Sequence, residues 1–242
     1  MRMNNQIKYS LAGFCMGVAE LIPGISGATV AVIFKIYPNL IKILSNLRIK
    51  NLTLNLSSLA QTFQFNVSLP LISSMIIAII FCSKGINFLL NNYEQIFLLS
   101  LGLLMIALSI YIVQSFKDAL IDKKLFLFLF LGISIGFLLQ GLNTGSANIS
   151  MPYLFLSGIL AFSFFLIPGI SGSAMLVVLG VYGPIIQAIA TFNLNLLAPF
   201  ALGCFISLLL LPKLVLSIYS SNERNLMYIF SGLILSSGIF LL

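Results

Sequence analysis

The chain carries one heptapeptide twice. Leu21-Ile22-Pro23-Gly24-Ile25-Ser26-Gly27 recurs residue for residue, 145 positions later, as Leu166-Ile167-Pro168-Gly169-Ile170-Ser171-Gly172. The echo continues at Val32 and Val177, Tyr37 and Tyr182, and Ile41 and Ile186. Seven identical positions that include a proline and two glycines indicate an internal duplication. Proline removes a backbone donor and drives the residue before it out of helical geometry, so a helix arriving at Ile22 or Ile167 stops there. The glycines admit positive φ and close backbone approach. Ser26 and Ser171 suit the N-cap of a following helix. Each copy therefore reads as helix, break, helix. The break offers amide N–H groups and the positive end of a helix dipole, which is a place for an anion.

Composition places these breaks in a membrane. Hydrophobic residues make up 60% of the 242 and charged residues only 7%, whereas soluble domains carry about 25% charged residues. The mean hydropathy is +1.14. The expectation is an all-α integral membrane protein forming a single membrane domain, 1–242. There is no histidine. Cys15, Cys82 and Cys204 lie in apolar stretches without paired spacing, so neither a metal site, a disulfide framework nor a cofactor is expected. The N-terminal stretch lacks the pattern of a removable signal peptide.

Segment lengths set the expected topology. Residues 8–21 make about 21 Å of helix, short of a hydrocarbon core of about 30 Å, and 27–42 form a similar arm after the break. Together they are too long for one crossing and too short for two, which predicts a re-entrant hairpin over 8–46. The stretch 51–66, with Leu52, Leu56, Leu59 and Phe63 on one helical face, reads as an interfacial helix or a loop. Spans at 67–90 and 94–116 complete repeat 1 (8–116), and 125–142 is a linking span. Repeat 2 (151–242) holds a hairpin at 151–190 and spans at 196–219 and 226–242, giving about five transmembrane helices in all. Three crossings separate the two hairpins. Because three is odd, the second repeat enters from the opposite face, an inverted-topology repeat with both breaks near the midplane. On this topology Arg2, Lys8, Lys42, Arg48, Lys50, Lys117, Lys123, Lys124 and Arg224 gather on one side and only Lys84 on the other. That asymmetry predicts a cytoplasmic N-terminus and an external C-terminus. It also accounts for the net charge of +7 without a nucleic-acid partner.

The candidate binding groups follow from the breaks. Ser26, Thr29, Ser171 and Ser173 set hydroxyls beside the backbone of Gly24, Gly27, Gly169 and Gly172, a chemistry for phosphate or carboxylate. The other reading is that Pro23, Pro168 and the glycines only kink packed helices, and the inverted duplication favours binding over kinking. Glu20, one turn before Pro23, has Phe165 as its counterpart. A carboxyl at that depth costs about 3 kcal/mol unless paired or protonated. It reads either as a coupling group that carries a proton or gates the anion, or as a neutral carboxyl bonded to a neighbouring helix. Lys35, whose counterpart is Gly180, either snorkels to the cytoplasmic edge or contacts phosphate. Tyr37 and Tyr182 are interfacial anchors or substrate contacts. Gly13 with Gly17, and Gly132 with Gly136, have the spacing of close helix-packing faces. Without histidine, clustered carboxylates or a Gly-rich loop ending in Lys-Ser or Lys-Thr, no enzyme is expected.

The stretch Gly13-Phe14-Cys15-Met16-Gly17-Val18-Ala19-Glu20-Leu21-Ile22-Pro23-Gly24-Ile25-Ser26-Gly27-Ala28-Thr29 resembles the opening signature of the PopT-type undecaprenyl-phosphate translocases. Leu166 to Ser173, running on to Gly180-Val181-Tyr182, resembles their second signature, and the likeness reaches Tyr228 to Gly238. The resemblance implies a flippase that recycles undecaprenyl phosphate from the outer to the inner leaflet of the bacterial cytoplasmic membrane. It assigns functional positions to Glu20, Pro23, Gly24, Ser26, Gly27 and Thr29, and to Pro168, Gly169, Ser171, Gly172 and Ser173. The implied partners are the carrier lipid and the surrounding membrane lipids; burying a phosphate requires neutralisation, for which a coupling proton on Glu20 is the candidate. The chain departs from the family pattern at Ala12, where a basic residue is common, and at Ala28 and Lys35, which replace glycines. Lys8 or Lys35 then stands in for the missing base. A transporter or channel for a small soluble anion, and an intramembrane lipid phosphatase, are the rival readings.

Overall fold

A computed structural model describes residues 5–22, 24–47, 51, 55–115, 123–141 and 149–242, and among them the only regular elements are helices. In chain order these are α1 (Asn5–Glu20), α2 (Gly27–Ile33), α3 (Tyr37–Ser45), α4 (Leu56–Thr62), α5 (Phe65–Gln114), α6 (Lys123–Gly141), α7 (Met151–Leu166), α8 (Gly172–Val178), α9 (Tyr182–Ala190) and α10 (Leu194–Phe240). Pro23, Arg2, Arg48, Lys50, Lys117 and the loop 143–148, all used in the sequence reading, lie outside the described residues, as does the side chain of Lys123.

Helix lengths recur in order. α1 and α7 each have 16 residues, α2 and α8 have 7, and α3 and α9 have 9. The long helices α5 (50 residues) and α10 (47 residues) follow suit. One offset of 129 relates their first residues (65 and 194), their first internal prolines (70 and 199) and their single non-helical residues (Tyr93 and Asn222).

The arms that follow the heptapeptides are not the single helices expected of the 27–42 arm and of its counterpart in the 151–190 hairpin. A second break divides each one, at Lys35 (φ 54) in the first and Gly180 (φ 68) in the second. Pro38, near the start of α3, fits this division because proline is favoured in a helix's first turn, where no backbone donor is needed. α8 and α9 meet at 115°. The predicted spans 67–90 and 94–116 correspond to the two parts of α5, which ends at Gln114, on either side of Tyr93, and 196–219 and 226–242 to the two parts of α10, which ends at Phe240, around Asn222. Both long helices are apolar enough to cross a membrane. Within the stretch 51–66, Leu56–Thr62 form the short helix α4, capped by Asn55, and Leu52 lies outside the described residues.

Glycine sets the close packing. A Cβ on Gly13 would strike the Leu71 carbonyl of α5, and a Cβ on Gly158 would strike the Phe200 carbonyl of α10. Gly17 likewise faces Met75, while Gly132 and Gly136 face Ile229 and Ser236, so both GxxxG pairs serve as packing faces. α5 and α10 also touch reciprocally. Gly102 meets Gly238, and seven residues on Ser109 meets Ser231, each hydroxyl donating to the other's carbonyl at 2.9 Å. The partner number falls as the first rises, so the segments run antiparallel. Residues 102 and 231 are 129 apart, as are 109 and 238. Two copies of one segment make such a contact when they pack about a two-fold axis.

The two halves differ in burial. Val32, Tyr37 and Ile41 are 5%, 1% and 1% exposed, while their counterparts Val177, Tyr182 and Ile186 are 57%, 42% and 47% exposed. The main core cluster gathers α1, α2 and α3 against α5, the end of α7 and α10, whereas Val181 and Ile185 pack with Leu154 and Leu176 in a separate cluster.

Candidate functional site at the crossing of the two breaks

α1 ends at Glu20, and two tight turns follow as the N–H groups of Leu21 and Ile22 donate to Val18 and Ala19 carbonyls (3.1 Å each). Gly24 takes φ +86, and Ser26 then caps α2, its Oγ accepting from the Ala28 N–H at 3.2 Å. The second copy folds alike, with Ile167 extended and Gly169 at φ +90. Ser171 has the same extended backbone but does not cap α8; its hydroxyl pairs with that of Ser173 at 2.7 Å.

The two breaks meet. Thr29 Oγ1 accepts from the Gly169 N–H at 2.8 Å. The Ser26 hydroxyl donates to the Phe165 carbonyl (3.3 Å), and the Tyr37 hydroxyl donates to the Leu166 carbonyl (3.0 Å). Ser237 of α10 donates to the Gly169 carbonyl. The helical ladder of α7 ends ahead of Pro168, and these side chains satisfy backbone groups beyond its reach, as a buried break requires. Tyr37 is therefore a buried strut and not an interfacial anchor, whereas Tyr182 is open to its surroundings. Ser26, Thr29 and Ser171 are buried and Ser173 is exposed. Thr29→Val keeps the shape of the side chain but orphans the Gly169 N–H. We expect it to cost about 1–3 kcal/mol, read as a lowered unfolding midpoint in detergent.

Glu20 reaches across the first break. Its Oε1 accepts from the Gly27 N–H at 2.7 Å and would lie 2.7 Å from a Cβ placed on Gly27. Phe165 holds the matching place over Gly172. The amides at the start of α2 are thus occupied, Gly27 by a carboxylate and Ala28 by a hydroxyl, which differs from the unpaired donors that the heptapeptide predicts. At seven residues each, α2 and α8 also lack the length for a large macrodipole. What converges here is a set of short-range donors and acceptors around one acidic group.

Residues 16–240 match the family described as undecaprenyl phosphate translocase-like. The chain belongs to that family. Among its relatives is the polyprenyl-phosphate transporter of Vibrio cholerae serotype O1, 30% identical over 212 residues, covering 85% of this chain and 67% of the relative. The polyprenyl-phosphate transporter of Staphylococcus aureus is 26% identical over 194 residues, covering 74% and 64%. This translocase-like chain thus spans about two thirds of the length of the curated relatives it matches. No solved structure matches it. Family membership and two long apolar helices make it a membrane protein.

Lys35 is the family departure that the structure makes most informative. Its φ of 54 is the left-handed region, where Gly180 sits in the other copy. An L-residue there carries a strain of about 1–2 kcal/mol that glycine escapes. Part of that gain returns as unfolded-state entropy, so Lys35→Gly is expected to stabilise the fold by about 1 kcal/mol, checked by thermal unfolding. Ala12, at another of the three departures, is fully buried in the core.

Proposed function

We propose that this protein carries undecaprenyl phosphate from the outer to the inner leaflet of the bacterial cytoplasmic membrane, as a transporter and not an enzyme. The observation that carries the reading is the buried crossing itself, where two broken helices, their hydroxyls and a single carboxylate converge. A phosphate entering there replaces the Glu20 carboxylate at Gly27. It takes donors from Ser26, Thr29, Ser171 and Ser173 and from the amides around Gly24, Gly169 and Gly172, while the prenyl tail stays in lipid. Pro168 keeps the backbone open at the second break, the part that the sequence assigns to Pro23 in the first. Two anions do not share so small a site, so Glu20 leaves as a protonated acid and carries the coupling proton.

On this reading 8–116 and 151–242 are inverted repeats, each a re-entrant hairpin (8–46 and 151–190) followed by two spans, with 125–142 between them. The reciprocal, antiparallel contact of α5 and α10 supports a two-fold axis lying in the membrane plane, the symmetry of inverted-repeat transporters. The unequal burial of α2–α3 and α8–α9 supports two states that exchange roles, each exposing the crossing to one leaflet. The cationic side then faces the cytoplasm, with the N-terminus there and the C-terminus outside.

The test is transport in liposomes loaded with undecaprenyl phosphate, using a phosphatase added outside to read the outer-leaflet pool. Protein should speed exchange between the phosphatase-sensitive and protected pools well above the rate of empty vesicles. Equal rates would remove the proposal.

A further inference from the structure

Beside the crossing lies a cavity of about 340 Å³, lined by Lys35, Tyr37, Tyr111, Ser115, Tyr219 and Glu223 together with apolar side chains of α2, α5 and α10. It sits where α5 ends at Ser115 and where α10 breaks at Asn222. Tyr37 forms its inner wall. That ring touches Tyr219 (centroids 6.1 Å apart), and its hydroxyl holds the Leu166 carbonyl at the second break. The cavity and the crossing are thus separated by one side chain.

Two features of this cavity favour a phosphate monoester. Lys35 supplies an ammonium, from a backbone position where the duplicate copy has glycine and where a lysine is strained. Tyr111 and Tyr219 supply hydroxyl donors, while the Ser115 hydroxyl already donates to the Tyr111 carbonyl at 2.9 Å. Glu223 opposes an anion, but its Oε1 is held by the Tyr219 hydroxyl at 2.6 Å, so binding requires Tyr219 to change partners. Neither group recurs in the other repeat, where the counterparts of Lys35 and Tyr219 are Gly180 and Leu90. The cation therefore marks one end of the path only.

We propose that this cavity is a second, one-sided station for the lipid's phosphate headgroup, in which the Lys35 ammonium and the Tyr219 and Tyr111 hydroxyls hold the phosphate and Tyr219 releases Glu223 to do so. The proposal rests on the transport reading above and supplies the base that is missing at Ala12. On the proposed topology the station faces the cytoplasm and favours arrival in the inner leaflet.

The experiment measures binding of farnesyl phosphate, farnesol and inorganic phosphate to the full chain in detergent, for the wild type, Lys35→Gly and Glu223→Gln. Wild type should bind farnesyl phosphate well above the other two. Lys35→Gly should raise Kd by about tenfold or more, the loss of one charge-assisted contact, while its unfolding midpoint rises, so misfolding does not explain the loss. Glu223→Gln should lower Kd several-fold by removing the like charge. An unchanged Kd in Lys35→Gly, or weaker binding by Glu223→Gln, overturns the station and leaves the transport reading standing. Inorganic phosphate binding as tightly as farnesyl phosphate overturns the lipid assignment. A wild type that binds no farnesyl phosphate overturns both readings.

Discussion

Gly169→Ala should abolish the folded centre of the protein, while the equivalent Gly24→Ala is tolerated. Both glycines hold positive φ, +90 and +86, so alanine strains either backbone by about 1–2 kcal/mol. The neighbours decide the rest. A Cβ on Gly169 would lie 2.6 Å from the Ile234 nitrogen and the Leu233 carbonyl carbon, both backbone atoms of α10. On Gly24 it would approach only the end of the flexible Leu241 side chain, at 3.3 Å. A helix backbone does not yield as a leucine methyl does, and overpacking adds a further 1–3 kcal/mol or so. The sum for Gly169→Ala, about 2–5 kcal/mol, consumes much of a typical domain's stability. We expect little folded Gly169→Ala protein on size exclusion in detergent, against a monodisperse Gly24→Ala with a modestly lowered midpoint. Equal behaviour of the two would mean that α10 does not press on the second break.

Glu20→Gln should separate binding from movement. The glutamine carbonyl still accepts from the Gly27 N–H, so the bond at 2.7 Å has a substitute and the fold is retained. The charge and the ionisable proton are gone. With no anion competing at the break, undecaprenyl phosphate should bind as tightly as to the wild type or tighter. With no proton to exchange, the headgroup's charge must move uncompensated, at a cost of about 2–3 kcal/mol. Transport in liposomes should therefore fall by at least about tenfold. Glu20→Ala orphans the Gly27 N–H as well and should lower stability by about 1–3 kcal/mol. Wild-type transport by folded Glu20→Gln would take Glu20 out of the mechanism.

Much of this architecture is legible in the chain because proline and glycine act locally. The heptapeptides place both breaks to within a residue or two, and the glycine pairs on α1 and α6 mark real packing faces. The second breaks are also written there, in Gly180 and Pro38, but the lysine at position 35 hides the glycine rule on one side and the apolar pattern runs through both. Tyr93 and Asn222 interrupt their helices with one residue each, too little to register as a loop. The partners across the crossing depend on tertiary packing and leave no trace in sequence. Nothing in Ser26 and Ser171 themselves tells that one caps its helix while the other pairs with Ser173. Nor does the identity of Tyr37 and Tyr182 foretell that one is buried and the other open.

The most direct test compares the affinity of the purified protein for undecaprenyl phosphate, undecaprenol and inorganic phosphate. If a lipid-borne anion is held where the broken helices cross, the phosphorylated lipid binds at least about tenfold more tightly than either the alcohol or the free ion. Binding of the alcohol as tight as that of its phosphate would contradict the account, because the crossing would then be recognising a chain and not a headgroup.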